Sequence, residues 1–151
     1  TVAALRKALE DAAGVRGDEV LVEEYIHGRE FTVAVLDGRA LPVIEIRAPE
    51  GDYDFNNKYF GDAVHYDCPA KLEDEAAATL GSLCERAFAA VGARGWSRID
   101  ALQRADGSFA LLEINTSPGM TPHSLVPMAA RAVGMDYADL CLKVLSLARC
   151  D

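Results

Sequence analysis

Residues 97–115 read SRIDALQRADGSFALLEIN and decide the fold, because they predict two strands joined by a tight reversal. The strands are Ser97–Gln103 and Phe109–Asn115, on either side of Asp106-Gly107. Between them, Asp106-Gly107 is a strong signal for a two-residue loop, since a turn of this kind needs left-handed backbone that Asp and Gly tolerate. We therefore expect an antiparallel hairpin.

A two-residue loop fixes which side chains stand opposite each other in the hairpin. It pairs Asp100 with Glu113 and Arg98 with Asn115, and the alternation of side chains along a strand puts all four on one face. Directly opposed residues have Cβ atoms about 4.5–5.5 Å apart, so two carboxylates placed in this way repel each other. A divalent cation between them would remove that repulsion.

The oxygen donors on this face have the chemistry of a metal site. Carboxylate and amide oxygens suit Mg²⁺ or Mn²⁺, and one carboxylate shared by two ions about 3.5–4 Å apart would explain three donors in a small space. We predict that Asp100, Glu113 and Asn115 bind metal, with Mg²⁺ as the first choice because phosphates commonly bind beside it. The open alternative is a solvent-exposed face at a sheet edge.

The segment after the second strand is suited to approach a ligand. Ser117-Pro118-Gly119 forms a turn whose glycine lets the backbone come close to a bound molecule. Ser124 begins a helix, where its hydroxyl and the free N–H groups favour an anion such as a carboxylate. An ordinary helix cap is the open alternative for Ser124.

The rest of the chain supplies further helices and a second hairpin. Helical spacing of apolar residues is found in Thr1–Ala13, Leu72–Val91, Ser124–Val133 and Asp136–Leu147. Strand patterns are found in Val20–Ile26, Phe31–Leu36 and Ala40–Ile46. Gly14 is expected to end the first helix, Asp136 to cap the last, and Asp37-Gly38 to form a hairpin turn.

Hairpins with helices between them predict an α+β fold in which helices cover an antiparallel sheet. Arg47–Asp62 has no periodicity and is expected to be a long loop, and loops of this length are uncommon unless they are functional. The residues of the last helix that are expected to face inward are Tyr137, Leu140, Cys141, Val144 and Leu145.

Composition limits the classes of protein that remain. The 151 residues suffice for one domain, or one domain and a piece of another, and the net charge of −9 argues against a nucleic-acid partner. No apolar run reaches the ~18 residues of a membrane span. The four cysteines lack CxxC spacing, which favours reduced thiols over a disulfide or zinc site. Because the chain starts at Thr1 without an initiator Met, we expect a fragment.

Several motifs together resemble the D-alanine–D-alanine ligases, ATP-grasp enzymes of bacterial cell-wall peptidoglycan synthesis. The resemblance runs from about Val20 to the C-terminus and is most specific in its last motif. The motifs are GREFTVAVL (28–36), LPVIEI (41–46), NKY (57–59), CPA (68–70), GWSRID (95–100) and LLEINTSPGMTPHSLVPMAAR (111–131).

The resemblance implies an ATP-dependent reaction in the bacterial cytoplasm. ATP phosphorylates the carboxylate of one D-alanine, and the amine of a second D-alanine then displaces phosphate. Two Mg²⁺ or Mn²⁺ ions would be held by Asp100, Glu113 and Asn115, with Glu113 bridging them. The Asn-Lys-Tyr motif favours an amine over a hydroxyl nucleophile.

The resemblance also implies roles for individual residues. Arg98 and the Gly119 N–H would stabilise the developing oxyanion, and Ser124 with the Leu125 backbone would hold the carboxylate of the second D-alanine. Lys58 would contact the transferred phosphate and the nucleotide, and Tyr59 would close its loop over the site. The residues that would hold adenine and ribose are Glu23, Glu24, Tyr25, Ile26 and Glu30.

Other parts of the family pattern are missing from this sequence. The family has an N-terminal domain, and a phosphate-binding loop and two lysines in its central domain. Residues 1–26 are therefore expected to be the tail of a central domain and residues 27–151 the C-terminal catalytic domain. We predict that the isolated chain has no useful turnover and that the full-length form is a homodimer. A different ATP-grasp carboxylate–amine ligase and a non-catalytic interaction module remain alternatives.

Overall fold

A computed structural model of the protein describes residues 2–16, 20–47 and 64–149, and of residues 12–16 it describes the backbone only. The helices are α1 (Val2–Arg16), α2 (Asp74–Ala90), α3 (Leu125–Ala132) and α4 (Tyr137–Leu147). The strands are β1 (Arg29–Leu36), β2 (Arg39–Ala40), β3 (Ile44–Arg47), β4 (His65–Asp67), β5 (Trp96–Gln103) and β6 (Phe109–Asn115). None of the helices in the described part of the chain is both long and apolar enough to cross a membrane.

The strands form one antiparallel sheet, as predicted for an α+β fold. Their order is β4-β3-β1-β5-β6, and the short β2 pairs with the end of β1. The turn at Asp37-Gly38 is confirmed, because both residues have positive φ angles, 54° and 75°. The predicted strand Ala40–Ile46 is divided in two, with Pro42 in the gap between β2 and β3, where its missing N–H cannot join a ladder.

Both faces of the sheet are covered, which explains why β1 is buried from its third residue to its end. Alternate residues of β1, beginning with Phe31, pack against Leu80, Cys84 and Phe88 of α2. The intervening residues face the opposite way. On that second face the core residues are Ala34, Leu36, Ile44, Val126, Ala129, Ala130 and Leu140, which bring in α3 and α4.

The loop between β5 and β6 differs from the prediction. It has three residues rather than two, because Gln103 pairs with Phe109 and Arg104 N–H donates to Ser108 O at 2.8 Å. Gly107 has a φ of 85° and its N–H donates to Arg104 O at 2.9 Å. This is the common three-residue hairpin loop, in which a turn is followed by a left-handed glycine.

A bulge in β6 restores the predicted pairing despite the longer loop. Asp100 pairs with Glu113, whereas the next residue, Ala101, pairs with Leu111, so Leu112 is the extra residue. A bulge of this kind shifts the register by one residue. The predicted opposition of Asp100 and Glu113 is therefore confirmed, although the loop length from which it was derived was wrong.

The N-terminal predictions were partly wrong. Helix α1 continues past Gly14 to Arg16. Residues 20–27 form no strand. Their side chains at Leu21 and Val22 are 83% and 59% exposed, and a strand-forming sequence needs a neighbouring strand to pair with.

The C-terminal elements agree with the sequence more closely. Helix α2 is slightly shorter than Leu72–Val91, and the Asp136 side chain caps α4 by accepting from Asp139 N–H at 2.8 Å. Leu140 is buried as expected, but Leu145 is 70% exposed, so its predicted inward direction was wrong. Of the predicted loop Arg47–Asp62, Arg47 ends β3 and residues 48–62 lie outside the described residues.

Candidate functional site

The β5–β6 hairpin places the four predicted polar residues together on one face. Arg98 pairs with Asn115 and Asp100 with Glu113 across the strands. The Arg98 Nη2 atom lies 3.7 Å from Glu113 Oε1. The positively charged guanidinium of Arg98 thus lies beside both carboxylates and reduces the repulsion between them.

Arg98 donates two hydrogen bonds to the carboxylate of Asp100. Arg98 Nε donates to Asp100 Oδ1 at 2.9 Å, and Arg98 Nη2 donates to Asp100 Oδ2 at 2.8 Å. Only 16% of the Arg98 side chain and 5% of the Asp100 side chain are exposed. Two parallel charge-assisted bonds fix both groups, because the planar guanidinium matches the carboxylate.

Besides Arg98, the buried side chain of Thr32 contacts Asp100. Thr32 Oγ1 donates to Asp100 Oδ1 at 2.6 Å from the neighbouring strand β1. Sequence reasoning did not single out Thr32. Its signal was a lone hydroxyl in FTVAVL (31–36), where every other residue is apolar.

Glu113 and Asn115 line a cavity of about 370 Å³ beside this pair. The Glu113 side chain is 56% exposed, so its carboxylate is open to solvent, unlike that of Asp100. Arg98 and Tyr66 also line the cavity, and so do Gly119, Ser124 and Leu125 from the loop after β6 and the start of α3. Three regions that the sequence singled out therefore meet in one place.

The donor set fits a hard divalent cation in its chemistry. Within the described residues, no group of three or more His, Cys, Asp and Glu side chains could hold a metal. Asn115 adds an amide oxygen on the strand that carries Glu113. Asn115 Oδ1 accepts from Ser117 N–H at 2.9 Å, which leaves that oxygen one further lone pair. Asp100, Glu113 and Asn115 are thus suited to Mg²⁺ or Mn²⁺.

Ser124 precedes α3 but does not cap it with its side chain. Its Oγ instead accepts from Thr121 N–H at 3.0 Å and lies 2.9 Å from Thr121 Oγ1. The alternative of an ordinary serine cap is therefore not supported. The first N–H groups of α3 can meet an anion, which a helix start favours.

Gly119 approaches Ser124 so closely that an added Cβ atom would require Ser124 to shift by a few tenths of an ångström. A Cβ atom on Gly119 would lie 3.0 Å from Ser124 Oγ. This is closer than almost all real contacts of a Cβ atom. Glycine lets the loop backbone run beside the cavity.

Two side chains that sequence reasoning missed hold the loop at residues 116–123. Tyr137 in α4 donates to Met120 O, and Arg131 in α3 donates to Pro122 O at 2.7 Å. Interaction with the neighbouring Cys141 thiol, and to a smaller extent burial, raises the pKa of the Tyr137 phenol. The phenol therefore stays protonated at neutral pH and keeps its proton for Met120. Neither contact has a local sequence signal, because each joins segments that meet only in the fold.

The predicted nucleotide-binding residues lie at a different place. Glu24, Tyr25 and Ile26 line a second cavity, of about 340 Å³, beside Arg104, whose Nη2 atom is 3.6 Å from Glu24 Oε2. Glu23 precedes this cavity and is exposed.

Glu30 lies on the sheet face that carries the candidate metal ligands. It lies on β1 two residues from Thr32, and residues two apart on a strand share a face, so it lies on the face that carries Asp100. Lys58 and Tyr59 lie outside the described residues.

Comparison with known proteins gives a consistent set of relatives. A family model described as "D-ala D-ala ligase C-terminus" matches residues 1–146. The D-alanine–D-alanine ligase of Bordetella petrii is 57% identical over 137 residues, covering 88% of this chain and 42% of the relative. That of Aromatoleum aromaticum is 52% identical over 149 residues, covering 99% and 48%. The chain spans about half the length of the curated relatives it matches.

Solved structures of the same kind share the fold. The Bacillus anthracis D-alanine–D-alanine ligase complexed with ATP has a TM-score of 0.79 and 28% identity, covering 95% of this chain and 45% of that one. The VanG D-Ala:D-Ser ligase of Enterococcus faecalis has a TM-score of 0.81 and 31% identity, with 95% and 42% covered.

Proposed function

Because this chain belongs to the family of D-alanine–D-alanine ligase C-terminal domains, we propose that it is the catalytic C-terminal part of an ATP-dependent D-alanine–D-alanine ligase. The observation that carries the proposal is the cavity in which Arg98, Glu113 and Asn115 meet Gly119 and Ser124. The reaction joins two D-alanine molecules at the expense of ATP and supplies a peptidoglycan precursor in the bacterial cytoplasm.

Asp100, Glu113 and Asn115 would hold two Mg²⁺ or Mn²⁺ ions. Bound there, the ions neutralise charge on the nucleotide's phosphates and orient them. The three residues contribute hard oxygen donors from two paired strands, and a sheet holds such donors at a fixed spacing. We assign the shared position to Glu113 and one ion to Asp100, and the greater exposure of the Glu113 side chain, 56% against 5% for Asp100, supports this assignment.

Arg98 would stabilise negative charge at the reacting carboxyl carbon. Its guanidinium forms part of the cavity wall and is held by Asp100, so it need not reorganise as charge develops. The backbone N–H of Gly119, which also lines the cavity, would donate to the same oxyanion. Lys58 and Tyr59, which lie outside the described residues, remain predicted contacts of the phosphate and cover of the site.

Ser124 and the start of α3 would bind the carboxylate of the second D-alanine. The helix presents free N–H groups with the positive end of its dipole, and Ser124 is the residue directly before them. This contact would hold the amine close to the carbon that it attacks, and such positioning is worth several powers of ten in rate.

The adenine and ribose would lie along Glu23, Glu24, Tyr25 and Ile26 and reach Glu30. We propose that residues 1–26 end a central domain and that residues 27–151 form the C-terminal domain. The exposed Val2 and Leu5 of α1, at 80% and 52%, support this division because they leave apolar surface for another segment to cover. In the full-length form the partners would be the remaining segments of the enzyme and a second copy in a homodimer.

The test is a fusion in which this chain replaces the matching part of the Bordetella petrii ligase. We expect ADP release that requires D-alanine and yields D-alanyl-D-alanine. Glu113→Gln should lower the rate at least 100-fold, and the isolated chain should show no turnover. A folded fusion that binds ATP without consuming D-alanine would contradict the proposal.

A second candidate differs only in the nucleophile. The likeness to a D-Ala:D-Ser ligase favours testing D-serine beside D-alanine. Competition at equal concentrations in the same fusion, with D-lactate as a third nucleophile, would identify the preferred one. Faster use of D-lactate than of D-alanine at neutral pH would contradict the expectation of an amine.

A further inference from the structure

Thr32 is a polar residue in the middle of the buried sheet. It lies in β1 directly opposite Asp100 of β5 and is 1% exposed. Its neighbours Phe31 and Val33 are fully buried apolar residues. A hydroxyl in such surroundings is costly unless it is hydrogen-bonded, so its partner is the main clue to its role.

The Thr32 hydroxyl donates its hydrogen bond to Asp100. Two acceptors are in reach, Asp100 Oδ1 at 2.6 Å and Ile99 O at 3.4 Å. A hydroxyl has one proton, and the shorter bond to a charged oxygen is the stronger one. Thr32 therefore holds the Asp100 carboxylate from β1, on one side of β5, whereas Glu113 and Asn115 lie on β6, on the other side.

Counting lone pairs shows which Asp100 oxygen remains available. Oδ1 accepts from both Thr32 Oγ1 and Arg98 Nε, which uses its two lone pairs. Oδ2 accepts from Arg98 Nη2, which uses one of its two. The open lone pair of the carboxylate is therefore on Oδ2.

We propose that Thr32 is a positioning residue, which saturates Asp100 Oδ1 and thereby presents Oδ2 to a divalent cation shared with Glu113 and Asn115. This rests on the metal site of the proposed function. Without Thr32 the two bonds from Arg98 still hold the carboxylate, but Oδ1 regains a free lone pair, so the cation is no longer directed to Oδ2 alone. Loss of a group that hydrogen-bonds to a metal ligand typically lowers metal affinity about 10–100-fold.

Mn²⁺ titration followed by electron paramagnetic resonance tests this in the fusion described above. Thr32→Val keeps the side-chain shape and removes the hydroxyl, and we expect Mn²⁺ affinity to fall about 10–100-fold. Thr32→Ser keeps the hydroxyl and should restore affinity to within about threefold. Unchanged affinity in Thr32→Val would overturn the proposal, and so would equal losses in the Val and Ser variants.

Ser97→Ala provides the matched control. Ser97 is as buried as Thr32 and lies in β5, the strand that carries Asp100, but among the described residues its Oγ has no hydrogen-bond partner. It also lies on the opposite face of β5, because it is an odd number of residues from Asp100. Removing this hydroxyl should leave Mn²⁺ affinity unchanged, and a loss as large as that of Thr32→Val would count against a specific role for Thr32.

A double-mutant cycle separates positioning from general stability. If Thr32 acts through Asp100, Thr32→Val should cause no further loss of Mn²⁺ affinity once Asp100→Asn is present. Additive losses would overturn the proposal. Wild-type fusion that binds no Mn²⁺ would overturn it together with the metal site, whereas Mn²⁺ binding sensitive to Thr32 without ligase turnover would contradict only the proposed function.

Discussion

Tyr137 donates a hydrogen bond to the main-chain oxygen of Met120 and so ties α4 to the loop between β6 and α3. The same loop carries Gly119 and leads to Ser124, both of which line the candidate cavity. The position of these groups thus depends on a side chain 17 residues further along the chain. Arg131 makes the second such tie, to Pro122 O.

Replacing Tyr137 with Phe should loosen this loop while the fold survives. Loss of one neutral hydrogen bond costs about 1 kcal/mol in unfolding free energy. We expect faster amide hydrogen exchange at residues 119–123 in this chain, and in the fusion a higher KM for the second D-alanine. Lys143→Ala on the same helix, which removes only an exposed contact with Asp37, should leave exchange at 119–123 unchanged. Equal exchange in all three proteins would contradict the prediction.

Adding a methyl group to Gly119 should impair catalysis more than stability. The new Cβ would meet Ser124 Oγ at 3.0 Å, so the loop or the serine must move. The required shift is a few tenths of an ångström, and a displacement of about 1 Å at a reacting group can cost 100-fold in rate. We expect Gly119→Ala to lower kcat in the fusion by about 3–10-fold with little change in melting temperature. Gly81→Ala in α2, on the other side of the sheet, should leave kcat unchanged.

The contrast between the two Asp-Gly turns shows where sequence reasoning succeeds. At Asp37-Gly38 the turn chemistry alone determines the loop, because both residues take positive φ angles. At Asp106-Gly107 the same dipeptide occurs in a three-residue loop. The predicted partners of Asp100 and Arg98 were nevertheless right, because the bulge at Leu112 compensates, and no local signal in LLEIN marks that bulge.

Contacts between distant segments explain what the sequence did not predict. Motifs identified Arg98, Asp100, Glu113 and Asn115 because all four lie in one hairpin. The residues that hold them and their neighbours, Thr32, Arg131 and Tyr137, come from other elements, and only the packed fold brings them near. The strand prediction for Val20–Ile26 was wrong for the same reason, because a strand needs a neighbouring strand and the sequence pattern does not show whether one is present.

Gly28 should be intolerant of any side chain. A Cβ atom there would lie 1.8 Å from the backbone oxygen of Gln103, at the end of the β1–β5 pairing. Backbone cannot move aside as a flexible side chain can, so we expect Gly28→Ala to lower the free energy of unfolding by about 3 kcal/mol. Urea unfolding followed by circular dichroism would measure this.

Gly38→Ala is the comparison for that measurement. Gly38 has a φ of 75° but no atom within 4 Å of its added Cβ, so it tests backbone strain without a clash. Left-handed backbone costs a residue with a Cβ about 1–2 kcal/mol. A smaller loss for Gly28→Ala than for Gly38→Ala would show that the two strands separate easily at this end.

Glu45 should make the fold sensitive to acid. Hydrogen bonds from Arg29 at 2.8 and 2.9 Å, joined by one from Arg47, hold the pKa of its carboxyl below the usual value. A carboxyl whose pKa is lowered by folding stabilises the protein above its unfolded pKa of about 4.3, and this contribution is lost as the pH falls through the folded pKa.

Glu45→Gln should therefore destabilise the protein at pH 7 and matter little in acid. We expect a loss of about 1–2 kcal/mol in unfolding free energy at pH 7, because the partly exposed arginines are screened by solvent. Below about pH 4 the difference from wild type should shrink, because the unfolded chain then binds a proton at Glu45 that the folded protein does not, and this favours unfolding of the wild type. Urea midpoints at pH 7 and pH 3.5 measure both. Asp11→Asn, which breaks only the exposed pair with Lys7, controls for loss of charge, and a Glu45→Gln deficit that persists unchanged in acid would show that packing, rather than ionisation, explains the role of Glu45.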